Sequence, residues 1–320
     1  MLKSGAVFGL LMVFCYNFLD AGKEVYAGFL VQSIHPMQVT FVVFLTVLVF
    51  FQFWCLLRHK SRYSGPLQAL KTTLWLNVTT AGSWVTFFYC LKYLEPAVAS
   101  AIITGVAPLL MVFVSPLFFR NDARQYRLVF LAGITVSSLW LSYISLREGS
   151  HVYNLTPMAV MAGILLCIGC AFFSIFSNVF SKQLSERGCP PEAIMAHRFW
   201  LTVLLTGLWS WQSGGAAAEG GAMLPGVLLL ALLGVIIPLW CLQYGIKHLP
   251  PSKVMVLISV SPVFTFAFQL FDPRLSPSVS SFVAILLICV FSLATEVWRI
   301  QPKEQVQDNE YHGVPEDRGR

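Results

Sequence analysis

Charged residues are scarce in this sequence. Only 11% of its 320 residues are Asp, Glu, Lys or Arg, whereas 57% are hydrophobic, and the mean hydropathy is +0.71. Soluble domains carry about 25% charged residues, so the composition excludes an ordinary soluble protein and indicates one that lies in a lipid bilayer. The net charge of +6 needs no nucleic-acid partner, because basic residues at helix ends orient helices in membranes.

Motifs for catalysis, metal binding and nucleotide binding are also missing. The 6 His residues are scattered along the chain. Cys167-Ile-Gly-Cys170 has no second Cys pair and no His beside it, which favours packing over a zinc site. The Gly-rich segment 213–221 lacks the Lys-Ser/Thr of a phosphate-binding loop. We therefore expect no metal, no other cofactor and no enzyme activity.

Long apolar runs dominate what is present, and each provides the ~20 residues that a spanning helix needs. They cover residues 5–28, 36–57, 72–91, 96–119, 128–146, 157–181, 191–212, 223–245, 252–271 and 278–298. The sequence thus predicts an all-α integral membrane protein with ten transmembrane helices. Residues 299–320 are polar and charged, which predicts a disordered cytoplasmic tail.

The sequence also repeats itself at an offset of 155 residues. Tyr89-x-x-Lys92-x-Leu94-x-Pro96 returns as Tyr244-x-x-Lys247-x-Leu249-x-Pro251. Pro108 returns as Pro262, at an offset of 154. We therefore predict one five-helix repeat in residues 1–150 and a second in 151–298. Because five is odd, the second repeat must enter the membrane from the opposite side, and such inverted repeats are typical of secondary transporters.

The distribution of basic residues predicts the orientation of the chain. If the amino terminus is cytoplasmic, most Lys and Arg residues fall on the cytoplasmic side. The outer loops then hold only Lys23, Lys92, Arg147 and Arg274. Cytoplasmic loops carry the excess of Lys and Arg in membrane proteins, so both termini are predicted to be cytoplasmic.

Several segments resemble the drug/metabolite transporter superfamily, EamA type. They are Tyr89 to Ser100 leading to Pro108, the later Ser261-Pro262, and Arg198-Phe199 early in the second repeat. The resemblance covers nearly the whole chain. It implies two inverted five-helix repeats around a central cavity, and transport of metabolites or amino acids across a bacterial inner membrane, commonly outward.

The first helix carries the most unusual polar residues of the apolar runs. Asn17, Asp20 and Glu24 are spaced so that all three share one helical face, and Lys23 can pair with Asp20. One hypothesis is that this face lines the cavity, where Asp20 or Glu24 binds a cationic group or a coupling proton. A dry cavity favours the neutral form of a carboxylate. The alternative is that these residues emerge at the outer interface and face water.

Other candidates come from the second repeat and from the paired helices. Arg198 suits a carboxylate or phosphate in the cavity, although a long Arg side chain can also reach the cytoplasmic interface. Trp84, Trp240 and Gln243 lie on repeat-related helices and combine aromatic with polar groups, as ligand cavities do. The prolines Pro108 and Pro262 are predicted to fall mid-helix, where they act as paired hinges or as fixed kinks.

These observations predict a secondary active transporter that exports a small polar or zwitterionic metabolite by alternating access. An amino acid or an amino-acid-derived metallophore fits Asp20 and Glu24 opposite Arg198. Import of a similar solute, a membrane-embedded enzyme and a channel are the alternatives. Expected partners are the small-molecule substrate and the lipid bilayer, with protons and a second copy of the chain as open possibilities.

Overall fold

The computed structural model describes the chain in seven ranges. They are residues 2–58, 63–118, 128–148, 156–213, 224–258, 260–275 and 278–297. The regular secondary structure in these ranges is helical, and they contain no strand. The tail predicted at 299–320 lies outside the described residues.

The helices are numbered in chain order. They are α1 Leu2–Ser33, α2 Pro36–Arg58, α3 Gly65–Gln68, α4 Leu70–Tyr93, α5 Pro96–Phe118, α6 Leu128–Glu148, α7 Pro157–Glu186, α8 Pro191–His197, α9 Trp200–Gln212, α10 Leu224–Leu229, α11 Ile237–His248, α12 Pro251–Ile258, α13 Ser261–Gln269 and α14 Val279–Val297. A π-helical segment, Leu230–Ile236, joins α10 to α11.

Each of the ten predicted apolar runs coincides with one helix or with consecutive helices that follow one another directly. Within the described ranges, four stretches are long and apolar enough to cross a membrane. They are Gly5–Ser33, Pro36–Arg58, Pro157–Glu186 and Leu224–His248. Three further apolar stretches, Pro96–Ala107, Ala132–Ile144 and Val279–Ala294, are shorter parts of α5, α6 and α14. Ten membrane crossings therefore stay a prediction, whereas the all-helical fold is confirmed.

Proline marks the first residue of several helices, among them α2, α5, α7, α8 and α12. Proline suits this position because its fixed φ matches the helix and its missing N–H has no intrahelical partner there. The preceding residue is pushed into an extended conformation, which Thr156 and Pro190 show with ψ angles of 151° and 152°. The Thr156 hydroxyl also accepts the N–H of Ala159 and caps α7.

The sequence repeat reappears in the helix boundaries. α2 begins at Pro36 and α8 at Pro191, and α5 and α12 begin at Pro96 and Pro251. α4 and α11 end at residues 93 and 248, again 155 positions apart. The repeat in the sequence is therefore a repeat in the structure.

Helices of the second repeat are interrupted where those of the first are continuous. The counterpart of α2 is divided into α8 and α9 at Arg198 and Phe199, and the counterpart of α5 is divided into α12 and α13. This corrects the expectation that Pro262 lies mid-helix. Pro262 is the second residue of α13, where its missing N–H costs nothing, whereas α5 runs through Pro108 without a break. Whether either proline acts as a hinge stays a prediction.

The two repeats pack against each other in related pairs. α4 packs on α7, and their counterparts α11 and α1 pack on each other as well. At the centre, the rings of Phe44 and Phe199, which are repeat-related and fully buried, stack with centroids 5.0 Å apart. Each of these pairs combines one helix of the first repeat with one of the second, as a two-fold relation between the repeats would produce.

Close packing between α4 and α7 depends on a glycine. A Cβ atom added at Gly82 would lie 2.7 Å from the ring of Phe173, whereas one added at Gly169 in the same interface would lie 3.8 Å from Thr86. We predict that Gly82→Ala destabilises the protein by about 1–3 kcal/mol through overpacking. Gly169→Ala is the matched control and should not.

The measurement is thermal unfolding of the purified protein in detergent. Phe173→Leu should restore the stability of Gly82→Ala, because it removes part of the ring that the new methyl group meets. Equal stabilities for Gly82→Ala and Gly169→Ala would contradict this account of the interface.

Candidate substrate cavity

A cavity of about 100 Å³ lies at the centre of the helices. Both repeats line it. α1, α4 and α5 contribute from the first repeat, and α7, α11, α12, α13 and Arg198 contribute from the second. Binding sites for small ligands usually occupy about 300–1,000 Å³, so this cavity is smaller than an ordinary ligand site.

Asp20 and Lys23 form a buried ion pair on the cavity wall. Lys23 Nζ lies 2.6 Å from Asp20 Oδ1, and the exposed fractions of the two side chains are 2% for Lys23 and 7% for Asp20. The same nitrogen lies 4.8 Å and 4.5 Å from the ring centroids of Trp84 and Phe87. The aromatic faces add cation–π attraction, so Lys23 is held by three neighbours.

This pair overturns two sequence-based alternatives. Lys23 was assigned to an outer loop, but it lies inside α1 and faces the cavity. Asp20 and Glu24 do not emerge into water, since both are about 95% buried, with exposed fractions of 5% each. The reason is that α1 continues to Ser33, so these residues lie well before its end.

Glu24 lies one residue further along α1 and has a different environment. Its Oε2 accepts a hydrogen bond of 2.6 Å from the Thr265 hydroxyl of α13. In the described part of the chain, no Lys or Arg nitrogen comes within 4.0 Å of its carboxylate. Glu24 is thus a buried acidic group without an ion-pair partner among the described residues.

Arg198 reaches the cavity because the helix is interrupted at this residue. The Asn77 side chain of α4 bridges the interruption, donating to the carbonyl of His197 at 2.7 Å and accepting the N–H of Leu201 at 3.2 Å. These bonds satisfy backbone groups that the interruption leaves without helical partners. Discontinuous helices of this kind line the substrate sites of many transporters.

Within the part of the chain that the structure describes, the guanidinium of Arg198 contacts neutral groups. Its Nη2 donates to Ser177 Oγ at 2.7 Å, and its Nε lies 3.4 Å from Thr80 Oγ1. No carboxylate pairs with it within the described ranges. Arg198 is 96% buried, with an exposed fraction of 4%, so it presents an unneutralised positive charge to the cavity.

Residues at repeat-related positions line the cavity, but their side chains differ in chemistry. Many lining residues of the two repeats are 154 or 155 positions apart. Among these pairs are Tyr16 and Cys170, Asp20 and Ser174, Lys23 and Ser177, Glu24 and Asn178, Trp84 and Leu239, Phe87 and Leu242, Ile103 and Ile258, and Ala107 and Ser261. The first repeat supplies both carboxylates and the aromatic rings. The second supplies neutral counterparts and Arg198, whose own counterpart is Val43.

Polar residues of α7 also line the cavity, although they are not among the predicted site residues. They are Ser174, Ser177 and Asn178, which lie 154 positions after Asp20, Lys23 and Glu24, so the repeat in the sequence identifies them. They carry no charge, and Ser and Asn are common in packed helices, so their residue types alone do not indicate a site.

Three predicted site residues do not line this cavity. Asn17 donates from Nδ2 to the carbonyl of Leu257 at 2.8 Å, at the end of α12. Trp240 lies on the outer surface of the helical bundle, with 36% of its side chain exposed. Gln243 is fully buried, and its amide makes no hydrogen bond with the described residues. Helical spacing gives relative directions only, and neighbouring helices decide which direction faces the cavity.

Hydrogen bonds join different helices at both ends of the cavity. At one end, called the Glu95 end, Gln269 Nε2 donates to Glu95 Oε2 at 2.8 Å. At the other, called the Glu192 end, the Tyr244 hydroxyl donates to Glu192 Oε1 at 2.8 Å. Lys182 also donates to the carbonyl of Ile246 there, at 3.2 Å. These contacts hold segments of the chain together beyond the residues that line the cavity.

Sequence comparison places these features in a family. The sequence model of the EamA-like transporter family matches residues 7–143 and 161–295, once in each repeat. The chain belongs to this family. It is therefore a multi-pass membrane protein of a transporter family, with two copies of the family's unit. Membership confirms the resemblance inferred from the sequence and is consistent with the expectation of a protein that is not an enzyme.

Comparison with solved structures supports the fold. One chain, titled only "Crystal structure of protein", matches with a TM-score of 0.64 at 18% sequence identity. The match covers 92% of this protein and 97% of that chain. No curated protein shows a significant sequence match. At this identity the likeness concerns the fold alone.

The different environments of Asp20 and Glu24 predict different effects on stability. Asp20→Asn leaves the buried Lys23 charge without its partner, which should cost about 3–5 kcal/mol. Combining it with Lys23→Gln removes both charges and should restore most of that loss. Glu24→Gln should change stability little, because the amide oxygen can still accept the Thr265 hydrogen bond.

Denaturant titration of the purified variants in detergent measures these differences. A double variant no more stable than Asp20→Asn alone would show that the ion pair is not what holds Lys23 in place.

Proposed function

We propose that this protein is a secondary transporter that exports a small zwitterionic metabolite from the cytoplasm across a bacterial inner membrane by alternating access. An amino acid or an amino-acid-derived compound, such as a metallophore, fits this description. One observation carries the proposal. Glu24 and Arg198 bring opposite charges to one cavity, and neither is paired with a charged protein group in the described ranges.

A zwitterion supplies the two missing partners. Its ammonium group would bind Glu24, and its carboxylate would bind the guanidinium of Arg198, whose planar array of donors matches a carboxylate. Buried charges are costly unless they are paired, so a ligand with both charges compensates both residues at once. Asp20 and Lys23 already neutralise each other, so they add no net charge that a ligand would have to balance.

Glu24 is also the better of the two carboxylates for a coupling proton. Asp20 is held in its ion pair with Lys23, whereas Glu24 accepts a hydrogen bond from a neutral hydroxyl. A proton on Glu24 would remove an uncompensated charge when no substrate is bound. Exchange of proton for substrate on one carboxylate would couple export to the proton gradient.

The Glu192 end is the cytoplasmic side in this proposal. Lys182, Arg187 and Lys247 lie at or near it, as the positive-inside distribution requires. A substrate would enter there, reach Glu24 and Arg198, and leave at the Glu95 end. A homodimer stays a prediction from the sequence.

The first test is paired profiling of metabolites inside and outside cells with the gene deleted and restored. We expect a compound that carries both an amino and a carboxylate group to accumulate inside the deletion strain and to be missing from its medium. Depletion inside with the compound left in the medium would show import instead. No difference in either fraction, or a solute of one charge only, would contradict the proposal.

Site variants sharpen this test. Restoration with Glu24→Gln or Arg198→Lys should reduce export by roughly 100-fold, since each disrupts the pairing of a desolvated charge. The matched controls are Glu186→Gln and Arg187→Gln, which remove an exposed carboxylate and an exposed guanidinium. Both controls should export like the natural protein. In proteoliposomes, the residual transport by Glu24→Gln should no longer respond to a pH gradient.

A further inference from the structure

α13 carries a buried polar face inside an apolar bundle. Ser261, Thr265 and Gln269 follow one another at intervals of four residues, so they lie along one side of the helix. Their exposed fractions are 1%, 0% and 1%. Buried polar groups are costly without hydrogen-bond partners, so the partners of this face determine where α13 can rest.

All three side chains contact the first repeat. Ser261 Oγ lies 3.5 Å from the carbonyl oxygen of Asn17, and Thr265 donates to Glu24 as described above. Gln269 makes two contacts, because it donates to Glu95 and its Oε1 accepts the N–H of Ala97 at 3.1 Å. One helical face therefore connects the cavity carboxylate to the closure at the Glu95 end.

α13 is also separate from the helix before it. The Asn17 side chain donates a hydrogen bond to the carbonyl of Leu257 at the end of α12. Pro262 has no N–H with which to continue the helical bonding. The helix spans nine residues, or about 13 Å at ~1.5 Å per residue. The described backbone bonds at this junction span three residues, from the Val260 N–H to the carbonyl of Leu257 at 3.4 Å and from the Val263 N–H to the carbonyl of Val260 at 3.2 Å. The helix can therefore tilt here as a short rigid unit.

We propose that Thr265 and Gln269 are positioning residues that couple the occupancy of Glu24 to opening at the Glu95 end. When Glu24 turns toward a substrate ammonium group, it releases the Thr265 hydroxyl and α13 tilts about the break. Gln269 then withdraws from Glu95 and Ala97, and the cavity opens at that end. This inference rests on the proposed function, and it names the element that links the binding site to release.

Of the charged residues that line the cavity, Glu24 is the one that α13 contacts. Asp20 and Lys23 pair with each other, and Arg198 contacts Ser177 and Thr80. At the far end, Arg274 hydrogen bonds lower the pKa of Asp272, which keeps that pair ionised. Arg274 lies over the ring of Phe29, 4.4 Å from its centroid, and tethers the following turn to α1.

The test measures the spacing of the Glu95 end directly and needs no substrate. Spin labels at Ser33→Cys and Phe271→Cys, both exposed, report the distance between α1 and the end of α13. The 8 native cysteines are first replaced. Electron–electron resonance then gives the populations of closed and open forms for the full chain in lipid nanodiscs.

We expect Thr265→Val to raise the ratio of open to closed forms by about tenfold, the effect of losing one buried hydrogen bond. Gln269→Leu removes two contacts and should raise the ratio at least as much. Thr265→Ser keeps the hydroxyl and should leave the ratio unchanged. If α13 moves as one unit, the closed form of the double variant lacks the contacts of both residues, so the two effects on the ratio should multiply. Rescue by Thr265→Ser would not arise from a general loss of stability.

Unchanged distances in Thr265→Val, or a double variant no more open than the stronger single variant, would overturn the inference. Lower thermal stability without a change in the populations would overturn it too. The result is independent of the metabolite profiling. Altered populations with no exported solute would refute the proposed function and leave the coupling standing, whereas export with unaltered populations would do the reverse.

Discussion

A charge inside a bundle of apolar helices must be compensated by its neighbours, and the centre of this protein depends on that constraint. Asp20 and Lys23 meet it by pairing with each other, with two aromatic rings against the ammonium group. Glu24 and Arg198 have only hydroxyl and other neutral partners in the described ranges. Uncompensated charges are costly in this environment, and our proposal therefore assigns to these two residues the charged groups of the transported solute.

Two asparagines of the first repeat allow the second repeat to be interrupted. Asn77 bridges the interruption beside Arg198, and Asn17 takes a carbonyl at the end of α12. The repeat-related counterpart of Asn17 is Ala171, which has no donor to offer. This difference accompanies the division, since α5 continues through Pro108 while its counterpart is divided where Asn17 binds. The duplication therefore supplies two similar frameworks, and a few polar substitutions make one of them discontinuous beside the cavity.

Much of the fold was predictable because membrane helices follow from local composition. The apolar runs, the initial prolines and the offset of 155 all reappear in the helix boundaries. The site was only partly predictable. Asp20, Glu24, Trp84 and Arg198 meet at one cavity, but Asn17, Trp240 and Gln243 do not. Lys23 was misplaced because a charged residue near the end of an apolar run looks like a loop residue until the length of its helix is known.

The sequence by itself determined the membrane class, the helical segments and the repeat, because each depends on composition or periodicity along the chain. Only the tertiary structure decided which charges meet. The pairing of Asp20 with Lys23, the contact of Glu24 with Thr265 across 241 residues and the exposure of Arg198 to the cavity all arise from how distant helices pack. Helical periodicity gives the angle between side chains on one helix. It does not give the rotation of that helix against its neighbours, and that rotation determines the chemistry of the cavity.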